Sequence, residues 1–250
     1  MLIKIIKKTI KKIFEYFGYQ VILNNIPVDF SKSEKDLIQK VKNYTMTSPE
    51  RIKSLIDAVY YINRNNISGT FVECGVWRGG SMMAAMLTLK SLKKIDREFY
   101  LFDTYEGMSE PTNLDVNYLD KDAKDLLNQS LKSKENNIWC YSPIEEVKKN
   151  IYSTNYPSEN INFIKGKVEN TIPKFCPERI ALLRLDTDWY ESTKHELEHL
   201  FPRLVQGGVL IIDDYGFWKG SKKAVDEYFH NKKNYFFHRI DNTGIMIIKN

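Results

Sequence analysis

The apolar residues of the chain form short runs that alternate with longer segments of helical periodicity. Runs typical of buried strands cover residues 71–74, 98–102, 161–164, 180–185, 209–212, 236–240 and 245–248. The last two runs are joined by Asp241-Asn242-Thr243-Gly244, a typical hairpin connection. Because strands alternate with helices before this hairpin, the pattern predicts an α/β fold. We expect a doubly wound sheet of seven strands with an antiparallel last strand.

Helical periodicity and helix-start signals place the helices between these strands. The predicted helices cover residues 34–43, 49–64, 82–92, 122–132, 143–153, 191–204 and 221–230. Ser48-Pro49-Glu50 supplies an N-cap, a proline at the first helical position and an acid in the first turn. Ser142-Pro143-Ile144-Glu145 matches a capping box. Gly207-Gly208 is expected to stop the helix that begins at residue 191.

Residues 1–47 are predicted to extend a single domain that covers residues 48–250. Within them, residues 2–17 mix lysines and apolar side chains at the spacing of a basic amphipathic helix. Residues 1–24 carry a net charge of +4, whereas the rest of the chain carries only +1. Two interpretations stay open. The helix covers a core or a subunit contact, or it contacts an anionic membrane surface.

Composition excludes several classes of protein. The nearly neutral body gives no reason to expect a polyanionic partner, so we predict no nucleic-acid binding. The chain contains no run of eighteen apolar residues, so no spanning helix is expected. Cys74, Cys140 and Cys176 are odd in number and widely spaced, which favours reduced thiols in a cytoplasmic protein.

The segment 71–81 joins a buried strand to a helix through a glycine turn. This geometry brings backbone atoms close to a nucleotide-like ligand. Glu73 and Gly75 stand two residues apart and Gly79 follows, which is not the three-glycine pattern that cradles a pyrophosphate. The missing pattern disfavours a nicotinamide-dependent oxidoreductase. The carboxylate of Glu73 would suit the amino group of S-adenosylmethionine, although a purely structural turn is the alternative.

Acidic residues follow the ends of four predicted strands. They are Glu73, Asp103, Asp186, Asp213 and Asp214. The carboxyl ends of parallel strands lie together, so these acids are expected to be close to one another. Clustered carboxylates raise each other's pKa, and a bound cation is the simplest way to compensate their repulsion. Asp186, Asp213 and Asp214 come from neighbouring strands and suit Mg²⁺, with Mn²⁺ or Ca²⁺ as alternatives.

A different arrangement of the same acids also stays open. Asp213 could cap a turn while Asp186 pairs with Arg184 or a lysine. Asp103 is placed to accept hydrogen bonds from ribose hydroxyls, or to cap the loop that follows it. The long polar loop of residues 104–122 is expected at the mouth of the site.

Four sequence blocks together resemble the macrocin O-methyltransferase family over residues 45–250. The blocks are FVECGVWRGGS (71–81), LFDTYEGM (101–108), ALLRLDTDWYEST (181–193) and GGVLIIDDY (207–215). The resemblance implies a Rossmann-like class I methyltransferase fold that uses S-adenosylmethionine and Mg²⁺ to methylate sugar hydroxyls. The implied donor-site residues are Glu73, Gly75, Val76, Trp77, Ser81, Asp103, Thr104, Ser142 and Gly166. The implied metal ligands are Asp186, Asp213 and Asp214.

The predicted reaction is transfer of a methyl group to a hydroxyl of a sugar or sugar-containing small molecule. A metal ion would lower the pKa of that hydroxyl, and Asp186 or Asp188 would take its proton. Natural products and precursors of surface polysaccharides or glycolipids both fit as acceptors. The resemblance also favours a homo-oligomer. The alternatives are a methyltransferase with a non-sugar acceptor and a non-catalytic nucleotide-binding scaffold.

Overall fold

The computed structural model describes residues 6, 9–10, 12–14, 16–17, 26–132, 138–232 and 234–250. The chain divides into two compact units, residues 1–30 and residues 31–250. In the first unit the described residues between 6 and 16 are helical, as the amphipathic pattern predicts. Phe17 is described as a turn residue, and the other residues of the predicted helix over residues 2–17 lie outside the described residues. Residues 31–47 belong to the same compact unit as the sheet.

The second unit is built on one seven-stranded sheet. Its strands are β1 (Thr70–Cys74), β2 (Phe99–Asp103), β3 (Ile161–Lys165), β4 (Ile180–Leu185), β5 (Leu204–Ile212), β6 (His238–Arg239) and β7 (Ile245–Ile248). Their order across the sheet is β3-β2-β1-β4-β5-β7-β6. The first five strands pair in parallel, and β7 runs antiparallel to both β5 and β6. The predicted sheet and its antiparallel last strand are confirmed.

Helices connect these strands and precede β1. The α-helices of this unit are α1 (Lys32–Val41), α2 (Pro49–Arg64), α3 (Gly80–Ser91), α4 (Ala123–Asn128), α5 (Ile144–Tyr152), α6 (Val168–Thr171), α7 (Tyr190–Leu200) and α8 (Lys219–Phe229). Short 3₁₀ turns cover Lys42–Tyr44, Ser158–Asn160 and Phe201–Arg203. The predicted start of α2 is confirmed, because the Ser48 side chain accepts a hydrogen bond from Arg51 N at 3.1 Å.

The core lies along the central strands of the sheet. Every residue of β4 is buried, as are all residues of β1 after Thr70 and the last five residues of β5. Continuous apolar runs of this kind are typical of parallel strands that are covered on both faces. Their carboxyl ends therefore share one edge of the sheet, where the acidic residues collect. Among the described residues, no helix is both long and apolar enough to cross a bilayer.

The helix after β4 is shorter than predicted. It ends at Leu200 rather than at residue 204, because Pro202 lacks the backbone N–H that would continue it and its ring opposes the preceding turn. The chain is already extended at Leu204. Gly207, expected to stop the helix, lies inside β5 with a φ of 76° and donates its N–H to Lys249 O.

Two other helix boundaries differ from the prediction. The helix predicted over residues 122–132 ends at Asn128, where the N–H of Ser130 bonds to Leu127 O and closes a tighter turn. The predicted capping box at residues 142–145 is wrong. Pro143 is itself the N-cap, in an extended conformation, and the helix begins at Ile144.

Candidate active site

A cavity of about 590 Å³ opens at the carboxyl edge of the parallel strands. The topology of a doubly wound sheet places ligand sites at this edge. Among the predicted donor-site residues, the cavity is lined by Gly75, Val76, Trp77, Ser81, Asp103, Thr104 and Gly166. The predicted catalytic and metal-ligating acids also line it, and these are Asp186, Asp188, Asp213 and Asp214. Glu73 and Ser142 are the two predicted residues outside its lining.

The turn after β1 forms one wall of this cavity. Gly75 has a φ of 83°, and a Cβ atom at this position would collide with the carbonyl oxygen of Asp186. Glycine is therefore needed both for the left-handed backbone and for the close approach of the turn to the end of β4. This contact brings the glycine turn and the acidic strand end into the same site.

Asp103 holds the backbone of that turn. Its Oδ2 accepts hydrogen bonds from Val76 N at 2.7 Å and Trp77 N at 3.0 Å, and its Oδ1 accepts one from Tyr105 N at 2.7 Å. Burial raises the pKa of Asp103, whereas these N–H groups oppose that effect. Asp103 therefore caps the loop that follows it, as one of the two predicted alternatives has it. The binding of ribose hydroxyls by Asp103 stays a prediction.

Glu73 and Arg184 form a buried ion pair beneath the cavity. They lie opposite each other on β1 and β4, and Glu73 Oε1 accepts a hydrogen bond from Arg184 Nη1 at 2.8 Å. Both side chains are at most 3% exposed. Desolvation raises the pKa of Glu73 to about 7, although Arg184 opposes this. Glu73 Oε2 is buried without a hydrogen-bond partner among the described residues.

Arg184 also contacts the acids at the ends of β4 and β5. Its Nη1 donates to Asp186 Oδ2 at 2.7 Å, so the predicted alternative pairing of these two residues is observed. Its Nη2 donates to Asp213 and, at 2.9 Å, to Thr47 Oγ1. A second guanidinium, that of Arg51, bonds to the other oxygen of Asp213. Asp213 is thus held between two arginines.

Sequence reasoning missed Arg51 and gave Arg184 only one partner. Arg184 is the single charged residue of the apolar strand β4, and a buried cation in such a strand requires carboxylates nearby. That signal was readable from the sequence. Arg51 carries no such signal, because its partner Asp213 stands 162 residues away and meets it only in the folded chain.

Three carboxylates converge beside the arginine pair. Asp186, Asp188 and Asp214 each offer an oxygen, and these oxygens lie within 4.8 Å of one another. Relative to the predicted metal set, Asp188 takes the place of Asp213 in this group. We refer to Asp186, Asp188 and Asp214 as the carboxylate cluster. The cluster contains two predicted metal ligands, Asp186 after β4 and Asp214 after β5. Its third member, Asp188, is a predicted catalytic acid.

The carboxylate cluster suits a hard divalent cation. Desolvation raises the pKa of Asp186 and Asp214 well above the usual range, and that of Asp188 to about 7. Asp214 Oδ2 is buried without a hydrogen-bond partner among the described residues. Three converging carboxylate oxygens match the preference of Mg²⁺, Mn²⁺ or Ca²⁺, and the cluster contains neither Cys nor His.

A buried glutamate orders the loop that carries two of these acids. Glu196 on α7 has no exposed surface, and Thr187 Oγ1 lies 3.0 and 3.1 Å from its two carboxyl oxygens. Thr187 stands between Asp186 and Asp188, and Asp188 has a φ of 69°. The sequence analysis missed Glu196, because its position on α7 resembles that of any helical glutamate.

The opposite wall of the cavity is aromatic. Phe217 and Trp218 line the cavity, and their rings meet edge to face with centroids 5.1 Å apart. Gly107, Met108 and Ser109 also line the cavity, so the long loop after β2 borders the site as predicted. An apolar wall beside acidic groups suits the face of a sugar ring and its hydroxyls.

Comparison with known proteins identifies relatives along nearly the whole chain. The family model described as Macrocin-O-methyltransferase (TylF) matches residues 6–249. The 8-demethyl-8-(2,3-dimethoxy-alpha-L-rhamnosyl)-tetracenomycin-C 4'-O-methyltransferase of Streptomyces olivaceus is 32% identical over 185 residues, which are 74% of this chain and 67% of the relative. The demethyldecarbamoylnovobiocin O-methyltransferase of Streptomyces niveus is 31% identical over 209 residues, which are 80% of this chain and 76% of the relative.

Solved structures agree with this similarity. The structure of the O-methyltransferase NovP superposes with a TM-score of 0.71 and 28% sequence identity, and the match covers 82% of each chain. The calicheamicin methyltransferase CalS11 superposes with a TM-score of 0.60 at 17% identity, over 88% of this chain and 94% of that one. The class I methyltransferase fold is therefore confirmed.

Proposed function

The chain belongs to the macrocin O-methyltransferase family and is an S-adenosylmethionine-dependent O-methyltransferase, and we propose that it methylates a sugar hydroxyl with the help of a divalent cation. The observation that carries this proposal is the position of the carboxylate cluster. Asp186, Asp188 and Asp214 line the same cavity as the glycine turn after β1. Donor and acceptor can then meet in one enclosed space.

The donor side of the proposed site is the glycine turn and its neighbours. Val76, Trp77 and Ser81 would contact S-adenosylmethionine from this wall, with Asp103 and Thr104 near its ribose and Gly166 near its adenine. Two buried groups without partners among the described residues, Glu73 Oε2 and Ser142 Oγ, are the polar atoms that a bound donor would satisfy through its own groups or through water.

We propose that the carboxylate cluster holds the cation, with Mg²⁺ as the first choice and Mn²⁺ or Ca²⁺ as alternatives. When bound, such an ion supplies charge that lowers the pKa of an acceptor hydroxyl and orients it. Asp213, a ligand in the predicted set, would have to leave Arg51 and Arg184 to reach the ion. Its place between two guanidinium groups favours a different role, which is to hold the ends of β4 and β5 together.

We assign the role of proton acceptor to Asp188. Burial and the neighbouring carboxylates raise its pKa to about 7 in the absence of a cation. A bound cation would lower this value, so the assignment rests on the position of Asp188 in the cavity. Asp186 is the weaker candidate for this role, because Arg184 Nη1 holds its Oδ2 at 2.7 Å. Trp218 lines the same cavity and opposes the rise in the pKa of Asp188, so it lies beside the proposed base.

The acceptor class follows from the relatives. The two relatives described above are named for the methylation of a rhamnosyl-tetracenomycin and of demethyldecarbamoylnovobiocin. We therefore propose a sugar-containing small molecule, either a natural product or a precursor of a surface polysaccharide or glycolipid. A homo-oligomer, a cytoplasmic location and a peripheral membrane contact through residues 2–17 stay predictions.

Substitution of the cluster tests the cation site. We expect Asp214→Asn to weaken Mn²⁺ binding about tenfold or more. Substitution of residues that only support the metal ligands already lowers metal affinity by about this factor. Electron paramagnetic resonance measures free Mn²⁺, and calorimetry measures S-adenosylhomocysteine binding. The latter should stay within about twofold, because Asp214 faces the acceptor side.

Asp226→Asn is the matched control, because Asp226 is an exposed acid on α8 outside the cavity. It should change neither Mn²⁺ binding nor S-adenosylhomocysteine binding. Absence of Mn²⁺ binding in the unmodified protein would remove the metal from the proposal. Absence of S-adenosylhomocysteine binding would remove the assigned donor site.

A further inference from the structure

A second cleft, of about 550 Å³, lies beside the active-site cavity. Phe217 and Trp218 line both spaces, so the two are adjacent and share these side chains as a wall. Tyr215, which lines the second cleft, directly follows Asp214 of the carboxylate cluster. A ligand that occupied both spaces would place a hydroxyl at the cluster and its remaining part in this cleft.

The second cleft is positively charged. Three cationic side chains line it, those of Lys219, Lys222 and Arg239, against a single carboxylate, that of Asp241. The charge of Asp241 is already compensated, because its Oδ2 accepts a hydrogen bond from Arg51 Nε at 2.9 Å. The cationic side chains of the lining consequently outnumber its carboxylates.

The lysines of the cleft are available to an anion. Lys219 pairs with Asp120 and Lys222 with Asp226, but all four side chains are about half exposed or more. Ion pairs at such positions contribute little, so a more highly charged ligand can compete for the lysines. Lys219 and Lys222 also lie in the first turn of α8, where the helix dipole adds partial positive charge.

Aromatic rings stand among these cations. Lys222 Nζ and Arg239 Cζ lie 5.0 and 5.5 Å from the centroid of the Tyr215 ring. Tyr118 is 57% exposed, and its ring lies 5.4 Å from that of Phe217. Cationic groups beside exposed rings suit a ligand that combines phosphate groups with a planar or apolar body.

We propose that this cleft binds the pyrophosphate of an activated sugar, so that the enzyme methylates the sugar while it is still attached to a diphosphate carrier. The inference rests on the proposed function, because the sugar itself must reach the carboxylate cluster. The carrier is a nucleoside or an isoprenoid, and both present a diphosphate with a flat or apolar group. A glycosyl transfer would then consume the methylated product.

Calorimetric titration of carrier analogues into the full chain saturated with S-adenosylhomocysteine tests this inference. The probes are uridine diphosphate, thymidine diphosphate and farnesyl diphosphate, with uridine as the uncharged comparison. We expect at least one diphosphate to bind about tenfold or more tightly than uridine, as charge-assisted contacts imply. Preference for the nucleotides identifies a nucleoside carrier, and preference for farnesyl diphosphate identifies an isoprenoid carrier.

Variants locate the binding in this cleft. Lys222→Ala should weaken the preferred diphosphate about tenfold, and combination with Arg239→Ala should weaken it further. Lys223→Ala is the matched control, because Lys223 is the next residue of α8, pairs with Glu227 and does not line the cleft. It should leave diphosphate binding unchanged.

The outcome separates this inference from the proposed function. Equal binding of diphosphates and uridine, or full diphosphate affinity in the Lys222→Ala and Arg239→Ala protein, would overturn the carrier site. S-adenosylhomocysteine affinity that is unchanged in the same variants shows that they are folded and that the donor site is intact. Failure of the unmodified protein to bind S-adenosylhomocysteine would instead contradict the donor site assigned above.

Discussion

Single buried charges decide the geometry of the active site. Arg184 bonds to Glu73, Asp186 and Asp213 from one strand position, and Arg51 adds a second contact to Asp213. Breaking such a buried pair is costly, because the remaining charge has no water to solvate it. The two arginines engage both oxygens of Asp213, whereas Arg184 engages only Oδ2 of Asp186, so Asp186 stays in the carboxylate cluster with Asp188 and Asp214.

Glu196 gives a testable consequence at the residue scale. Burial raises its pKa well above the usual value of a glutamate, so the folded protein holds a proton that the unfolded chain releases. The stability contributed by this proton is complete below the unfolded pKa and is lost as the pH rises toward the folded pKa. A tenfold difference in proton affinity corresponds to about 1.4 kcal/mol.

We therefore expect Glu196→Gln to be less sensitive to pH than the unmodified protein. Between pH 5 and pH 8 the free energy of unfolding of Glu196→Gln should decrease by about 1 kcal/mol less than that of the unmodified protein. The reason is that glutamine has no proton to lose. Urea unfolding at several pH values measures this difference. Glu198→Gln, an exposed change on the same helix, should follow the unmodified protein. Parallel pH profiles for Glu196→Gln and the unmodified protein would contradict the assignment of a buried proton.

At the scale of elements, the N-terminal helix has an apolar stripe that the single chain leaves partly exposed. Ile6, Ile10, Ile13 and Phe14 are between 45% and 52% exposed. An amphipathic helix gains stability by burying such a stripe. A subunit contact and an anionic membrane surface are the two partners that the sequence leaves open.

We expect deletion of residues 1–20 to lower the solution mass measured by light scattering, because the subunit contact would lose its apolar stripe. S-adenosylhomocysteine binding should persist, since every residue lining the cavity lies beyond residue 30. Flotation with anionic vesicles distinguishes the alternative. An unchanged mass together with vesicle binding that the deletion abolishes would favour the membrane contact and contradict the subunit contact.

Element boundaries show where sequence reasoning reaches its limit. The buried strands were predictable, because short and continuous apolar runs between polar segments are typical of strands in the core of a parallel sheet. The end of α7 at Leu200 was also readable from Pro202, whereas Gly207 and Gly208 indicate a later end. The start of α5 was not readable, because Ser142 and Glu145 have capping-box spacing and only the backbone makes Pro143 the cap.

At the scale of the whole molecule, the order of the strands assembles the site. β1, β4 and β5 are neighbours in the sheet, so the glycine turn and the acids after β4 and β5 meet at one edge. This convergence was predictable from the alternation of strands and helices. The presence of Asp188 rather than Asp213 in the cluster was not predictable from the sequence. It depends on the contact between Asp213 and Arg51, which lies on α2, far away in the sequence.

The central claim is that one cavity holds the methyl donor beside a cation at the carboxylate cluster. Nuclear magnetic resonance of S-adenosylmethionine labelled with ¹³C at its methyl group tests it directly. The donor is added to the protein with Mn²⁺, and with Mg²⁺ as the diamagnetic comparison. We predict donor binding with both ions and strong broadening of the methyl signal only with Mn²⁺, because paramagnetic relaxation acts at short range. Donor binding without this broadening would contradict the account, since the cation and the methyl group would then lie in separate places.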